Sequence, residues 1–290
     1  MADLFAIIAP VFLCTALGWG WVRAGRAYDR ELVTVLIADI GAPCLVFARL
    51  VALEVEGEAM TEMALATVLS VTSFAVVGML IVRLMRLPLN TYLCPLVFGN
   101  QGNMGLPVCL FAFGEQGLAL AIAYFSVTAT LQFTAGIAIW SGRLSLRELA
   151  RTPLIYAAVL AVAVLVSGAK VPGWIWNTTE ILGGFAIPLM LVTLGASLAE
   201  LRVVRIGRSV LLAACRLLLG FGVGVALAAL FEMQGIARGV LILQCSMPAA
   251  VFNYLFAQRY ARAPEEVASI VVLSTLMAFA LLPLLLGYLL

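Results

Sequence analysis

The 290-residue chain is 64% hydrophobic and only 11% charged, against roughly 45–50% apolar and 25% charged in an ordinary soluble domain, which excludes a soluble globular protein. It contains no histidine, so imidazole acid–base chemistry and the commonest metal ligand are excluded with it. The net charge of +2 becomes informative only when the arginines are assigned to loops.

Crossing the hydrocarbon core takes about 20 apolar residues. Apolar runs without period-2 alternation predict helical spans over 3–22, 31–49, 61–84, 90–113, 117–140, 152–169, 174–199, 208–231, 238–260 and 265–290. A transmembrane barrel would instead show alternating segments of about ten residues. The first run is too long for a signal core and lacks a basic stretch before it, so it is expected to remain as the first span. Cys14, Cys44, Cys94, Cys109, Cys215 and Cys245 all fall in apolar runs without CxxC spacing and read as small buried hydrophobes.

Arg23, Arg26, Arg30, Arg83, Arg86, Arg143, Arg147, Arg151, Arg202, Arg205, Arg208, Arg259 and Arg262 fall on one side of this map. Arg49, Lys170 and Arg238 fall on the other, and Arg216 lies inside the eighth span. Arginine-rich loops are cytoplasmic by the positive-inside rule, so both termini are expected outside, in a prokaryotic inner membrane. Glu54, Glu56, Glu58 and Glu62 in the outer connection between the second and third spans read as a solvated loop.

Pro43 and Pro188 are 145 residues apart, half the chain length, and Pro107 and Pro248 are 141 apart. Transporter folds are often built from inverted repeats. Residues 1–145 and 146–290 are therefore expected to form two five-span repeats, the odd span number inverting the second.

The fourth span contains GNQGNMGLP at 99–107. Its glycines and proline disfavour a continuous helix, and irregular backbone at membrane depth is tolerated where it is buried or lines a cavity. Asn100 and Asn103 lie at i, i+3. The ninth span has QCSMP at 244–248, followed by Asn253, and Gln244 precedes Pro248 by four residues just as Asn103 precedes Pro107. If both spans break and cross, the half-helix N-termini suit an anion and the preceding carbonyls suit a cation such as sodium. Asp39 and Arg216 are charges deep in the membrane. They either pair, or Asp39 carries a coupling proton while Arg216 meets the substrate, or each has a structural role. Gln132 is a secondary candidate whose bland reading is an interhelical hydrogen bond. Gly18, Gly20, Gly220, Gly222 and Gly224 are expected at close helix contacts.

GNQGNMGLPVCLFAFGEQG at 99–117 and GVLILQCSMPAAVFNYLFAQRY at 239–260 resemble the fourth and ninth helices of the auxin efflux carrier family of membrane transporters, and the resemblance covers the whole chain. It implies an all-α polytopic fold of ten helices, with helices 4 and 9 broken and crossing. It further implies a scaffold domain of helices 1, 2, 6 and 7, a transport domain of helices 3–5 and 8–10, and elevator-type transport of a small organic anion. Carried over position by position, it puts Asn100, Asn103, Gly105, Pro107, Gln244, Met247, Pro248 and Asn253 around the substrate. The third span has no ionisable residue between Glu62 and Arg83, so a charged support site there is not assumed.

No metal site and no cofactor is expected, and the coupling ion, proton or sodium, stays open. The partners expected are the anion, membrane lipid and a second copy held through the scaffold, with no nucleic acid. A sodium-coupled symporter resembling the bile-acid carriers is the alternative within the wider group. A membrane enzyme would need an acid pair, a Ser/Lys dyad or a metal cluster, and no deep lysine or histidine accompanies Asp39.

Overall fold

The computed structural model describes residues 2–51, 57–142, 153–167 and 169–290. Arg143, Arg147, Arg151, Glu54 and Glu56, used above for topology, lie outside the described residues. Among those described, regular structure is helical apart from one isolated backbone bridge. The helices are α1 Ala2–Arg23, α2 Arg30–Val51, α3 Gly57–Leu84, α4 Leu89–Val97, α5 Gln101–Ser141 and α6 Pro153–Ser167. They continue as α7 Gly173–Glu200, α8 Ile206–Leu230, α9 Gly235–Cys245, α10 Val251–Arg259 and α11 Pro264–Leu289. Seven of the described helices, α1, α2, α3, α5, α7, α8 and α11, are long and apolar enough to cross a membrane.

Four prolines mark places where the helices deform. A proline ring inside a helix clashes with the carbonyl four residues back and removes one donor. Pro43 is preceded by a turn of wider π geometry over Ile37–Gly41, and Pro107 by another over Gln101–Gly105. Ahead of Pro188 the helix falters at Phe185, and ahead of Pro248 α9 ends at Cys245. The expected run at 90–113 is thus α4 followed by the start of α5, and the run at 238–260 is α9 followed by α10. Gly114, at φ 65° and ψ −159°, bends α5 in the gap expected between the fourth and fifth runs.

Two groups of helices pack internally. In the first, α1 lies along the second part of α7, and α2 packs on α6 and on the first part of α7. Gly18 faces the backbone of Val192 and Gly195 that of Thr15, so the α1 and α7 backbones touch; the two irregular segments also meet, Gly41 against the Phe185 ring. In the second group α8 packs on α11, α9 and α3, and α3 packs on α4 and α5. Gly220 and Gly224 sit against Cys245 and Ile242. Gly20 and Gly222 were expected at similar contacts, but both face open space. They lie on the outer sides of their helices.

Ion pairs hold several of the described arginines near helix ends. Arg30 pairs with Glu200 at 2.7 Å, and Arg205 and Arg208 both pair with Glu266 at 2.9 and 3.1 Å. Tyr92 donates to the same Glu266 carboxylate at 2.5 Å, which ties the starts of α4, α8 and α11 together. Arg49 pairs with Glu115, joining the end of α2 to the bend in α5. The flanks of the bundle expose large apolar side chains, among them Leu65, Val76 and Leu80 on α3 and Leu218 on α8. Such apolar flanks suit lipid and would be a liability in water.

Candidate functional site

The helix breaks at 98–100 and 246–250 lie against each other. Gly99 and Ala249 form an antiparallel bridge, in which the Asn100 N–H donates to the Pro248 carbonyl at 2.6 Å and the Ala250 N–H to the Phe98 carbonyl at 3.1 Å. Backbone freed by the two breaks is thereby paired, as burial demands. Asn253 Nδ2 donates to the same Phe98 carbonyl at 2.9 Å.

Beside this junction is a cavity of about 300 Å3, near the lower end of ligand-pocket sizes. One wall comes from Thr34, Asp39 and Ala42 of α2, Leu154 of α6 and Met190 of α7; the other comes from Gly99–Asn103, Thr128 and Gln132, with Phe125, Phe133 and Phe252. The cavity therefore lies between the two helix groups. Its polar lining is dominated by carboxamides. Asn100 Nδ2, Gln101 Nε2 and Gln132 Nε2 are buried donors with no hydrogen-bond partner. A buried unpartnered amide costs about 1–3 kcal/mol, so three of them around one cavity call for a ligand rich in acceptors. The first N–H groups of α5, which no helix satisfies internally, begin in the same segment and add the positive end of the helix dipole. The aromatic rings would cover an apolar body.

Of the residues expected from the sequence, Asn100, Asn103, Gln132 and Asp39 line this cavity. The others do not. Gln244 is fully buried with both side-chain heteroatoms unpartnered and lies over Gly105, where a β-carbon would collide with its Oε1. The Asn103 and Gln244 amides, equivalent in sequence, thus occupy different environments. Met247 lines a separate apolar cavity of about 360 Å3 with Met104, Leu217 and Leu285. Pro248 contributes a carbonyl to the bridge, Asn253 staples α10 to the first break, and Pro107 is buried behind the π-turn it provokes. These five, with Gly105, build the junction.

Arg216 and Asp39 are not an ion pair. Arg216 is completely buried and donates to the Leu96 and Cys245 carbonyls at 3.1 and 3.2 Å, while among the described residues no cation lies within pairing distance of Asp39. Gln101 was missed in the sequence because Asn100 and Asn103 were grouped by α-helical spacing. Over Gln101–Gly105 the backbone has the wider π geometry, which brings Gln101 to the cavity as well. Thr34 and Thr128 gave no signal: a threonine in an apolar helix usually bonds its own preceding turn, as Thr128 does to the Tyr124 carbonyl.

The profile of a family described as membrane transport protein matches residues 3–145 and 138–286 of the chain. An uncharacterized transporter of Methanocaldococcus jannaschii is 27% identical over 62% of this chain and 61% of its own length. A second uncharacterized transporter, of Methanothermobacter thermautotrophicus, is 28% identical over 64% of this chain and 63% of its own. The chain thus spans under two thirds of the length of these relatives.

Proposed function

Because the chain belongs to this family of membrane transport proteins, the auxin efflux carrier family, and is a multi-pass membrane protein, we propose that it is a secondary transporter of a small organic anion, a carboxylate with an apolar body. The observation that carries this reading is the set of three unpartnered amide donors around a cavity between two helix groups. Unpartnered amide donors suit a carboxylate, and the phenyl rings of Phe125, Phe133 and Phe252 accommodate hydrocarbon.

The mechanism proposed is alternating access of the elevator type. α1, α2, α6 and α7 form the scaffold and the remaining helices the moving body, a division supported by which helices pack on which. Counting α4 with the first part of α5, and α9 with α10, as single broken spans gives ten spans in two five-span repeats of opposite orientation. The arginine-rich loops then face the cytoplasm and both termini lie outside. Arg216 donates to one carbonyl at the end of each preceding half-helix, Leu96 and Cys245, so the sodium-coupled alternative gains no support there.

A thermal-stability screen of the detergent-purified protein against indole-3-acetate, malonate and malate tests the reading, since ligand binding to the native state raises stability by mass action. One carboxylate is expected to raise Tm, and Asn103→Ala, itself folded, is expected to lose that shift. Stabilisation by neutral or cationic compounds only, or an Asn103→Ala variant that binds as wild type does, would overturn it.

Asp39 lines the same cavity. The Asp39 carboxylate and a bound carboxylate repel one another. In proteoliposomes, Asp39→Asn is expected to take up the carboxylate with a lowered KM. An unchanged KM would assign Asp39 a purely structural role.

A further inference from the structure

Arg216 stands near the middle of α8 and is 0% exposed. A buried cation ordinarily has a carboxylate partner, and Arg216 has none among the described residues. Its Nη1 donates to the carbonyl of Leu96, in the last turn of α4, and its Nη2 to that of Cys245, the last residue of α9. One guanidinium therefore bridges the C-terminal ends of both half-helices that lead into the breaks. Those ends present orphan carbonyls and the negative poles of two helix dipoles. The Phe74 ring of α3 lies 4.6 Å from the guanidinium carbon and adds a cation–π contact.

Glycine clears the space. A β-carbon on Gly99 would strike Arg216 Nη2, and one on Gly220, a turn further along α8, would strike the Cys245 carbonyl. Carbonyls at half-helix C-terminal ends are the groups with which broken membrane helices hold coupling cations. Here an arginine side chain fills that position from within.

We propose that Arg216 is a resident counter-cation occupying a latent alkali-cation site formed by the Leu96 and Cys245 carbonyls, so that the protein needs no metal cation at the junction of its broken helices, and that deleting the guanidinium opens this site to sodium or lithium. The functional consequence, anion transport independent of sodium, rests on the transporter reading; the site itself does not.

The test is the thermal stability and folded yield of wild type, Arg216→Lys and Arg216→Ala in sodium, lithium, potassium and choline chloride, with no organic anion added. Wild type and Arg216→Lys are expected to be indifferent to the cation. Arg216→Ala is expected to gain several degrees in Tm, or to be recovered folded, selectively in sodium or lithium. A wild-type protein stabilised by sodium over choline would overturn the proposal, as would an Arg216→Ala protein recovered equally, or equally poorly, in all four salts. Because no carboxylate is present, this outcome is independent of the ligand screen.

Discussion

Gln132→Met is expected to stabilise the empty protein and to weaken carboxylate binding by about 10- to 100-fold, two effects of opposite sign from one substitution. Gln132 is 7% exposed and its Nε2 has no partner. An unpartnered buried amide costs the fold about 1–3 kcal/mol, and a hydrogen bond to a charged ligand is worth about 1.5–3 kcal/mol. Methionine keeps the approximate volume and adapts to irregular space, so the empty cavity loses a penalty while the ligand loses a donor. Differential scanning fluorimetry of the empty protein and calorimetric titration with the stabilising carboxylate check the two halves separately. A lowered Tm with unchanged affinity would show Gln132 to be a packing residue.

The second large effect is expected at the interface of α1 and α7. Gly195→Leu should lower Tm sharply and cut the folded yield, while Gly222→Leu should lower neither. At Gly195 a β-carbon would lie 2.8 Å from both the Thr15 carbonyl carbon and the Trp19 amide nitrogen. Both are backbone atoms in a helix and cannot rotate away, and overpacking of this kind costs about 1–3 kcal/mol or more. Gly222 has nothing within 4 Å of the same position, and a leucine there improves helix propensity by roughly 0.5–1 kcal/mol over glycine. Equal losses at the two sites would mean that generic insertion of bulk, and not the α1–α7 approach, sets the outcome.

The helix positions were legible in the sequence because two strong local signals coincide. Apolar runs set the lengths, and Pro43, Pro107, Pro188 and Pro248 each deform the backbone ahead of them by the same steric clash. The junction was legible for the same reason, from GNQGNMGLP and QCSMP. The partners were less so. Gln244 has Asn103's offset from its proline, yet Gln244 is shut in over Gly105 while Asn103 reaches the cavity, because Asn103 follows the break at 98–100, in a π-turn, and Gln244 precedes the break at 246–250, inside α9. Arg216 had two readings that both needed a carboxylate or an anion. Its actual partners are main-chain carbonyls, which every residue owns and no sequence pattern marks.

The pairing of Gly99 with Ala249 carries a mechanical consequence. With the Asn100 and Ala250 amides each bonded across it and Asn253 pinned to Phe98, four short rods are riveted at their ends. They have to swing as one lever. Parting the rods would break the rivet and strand buried backbone, so in the proposed transport cycle this wall of the neighbouring chamber moves as one piece.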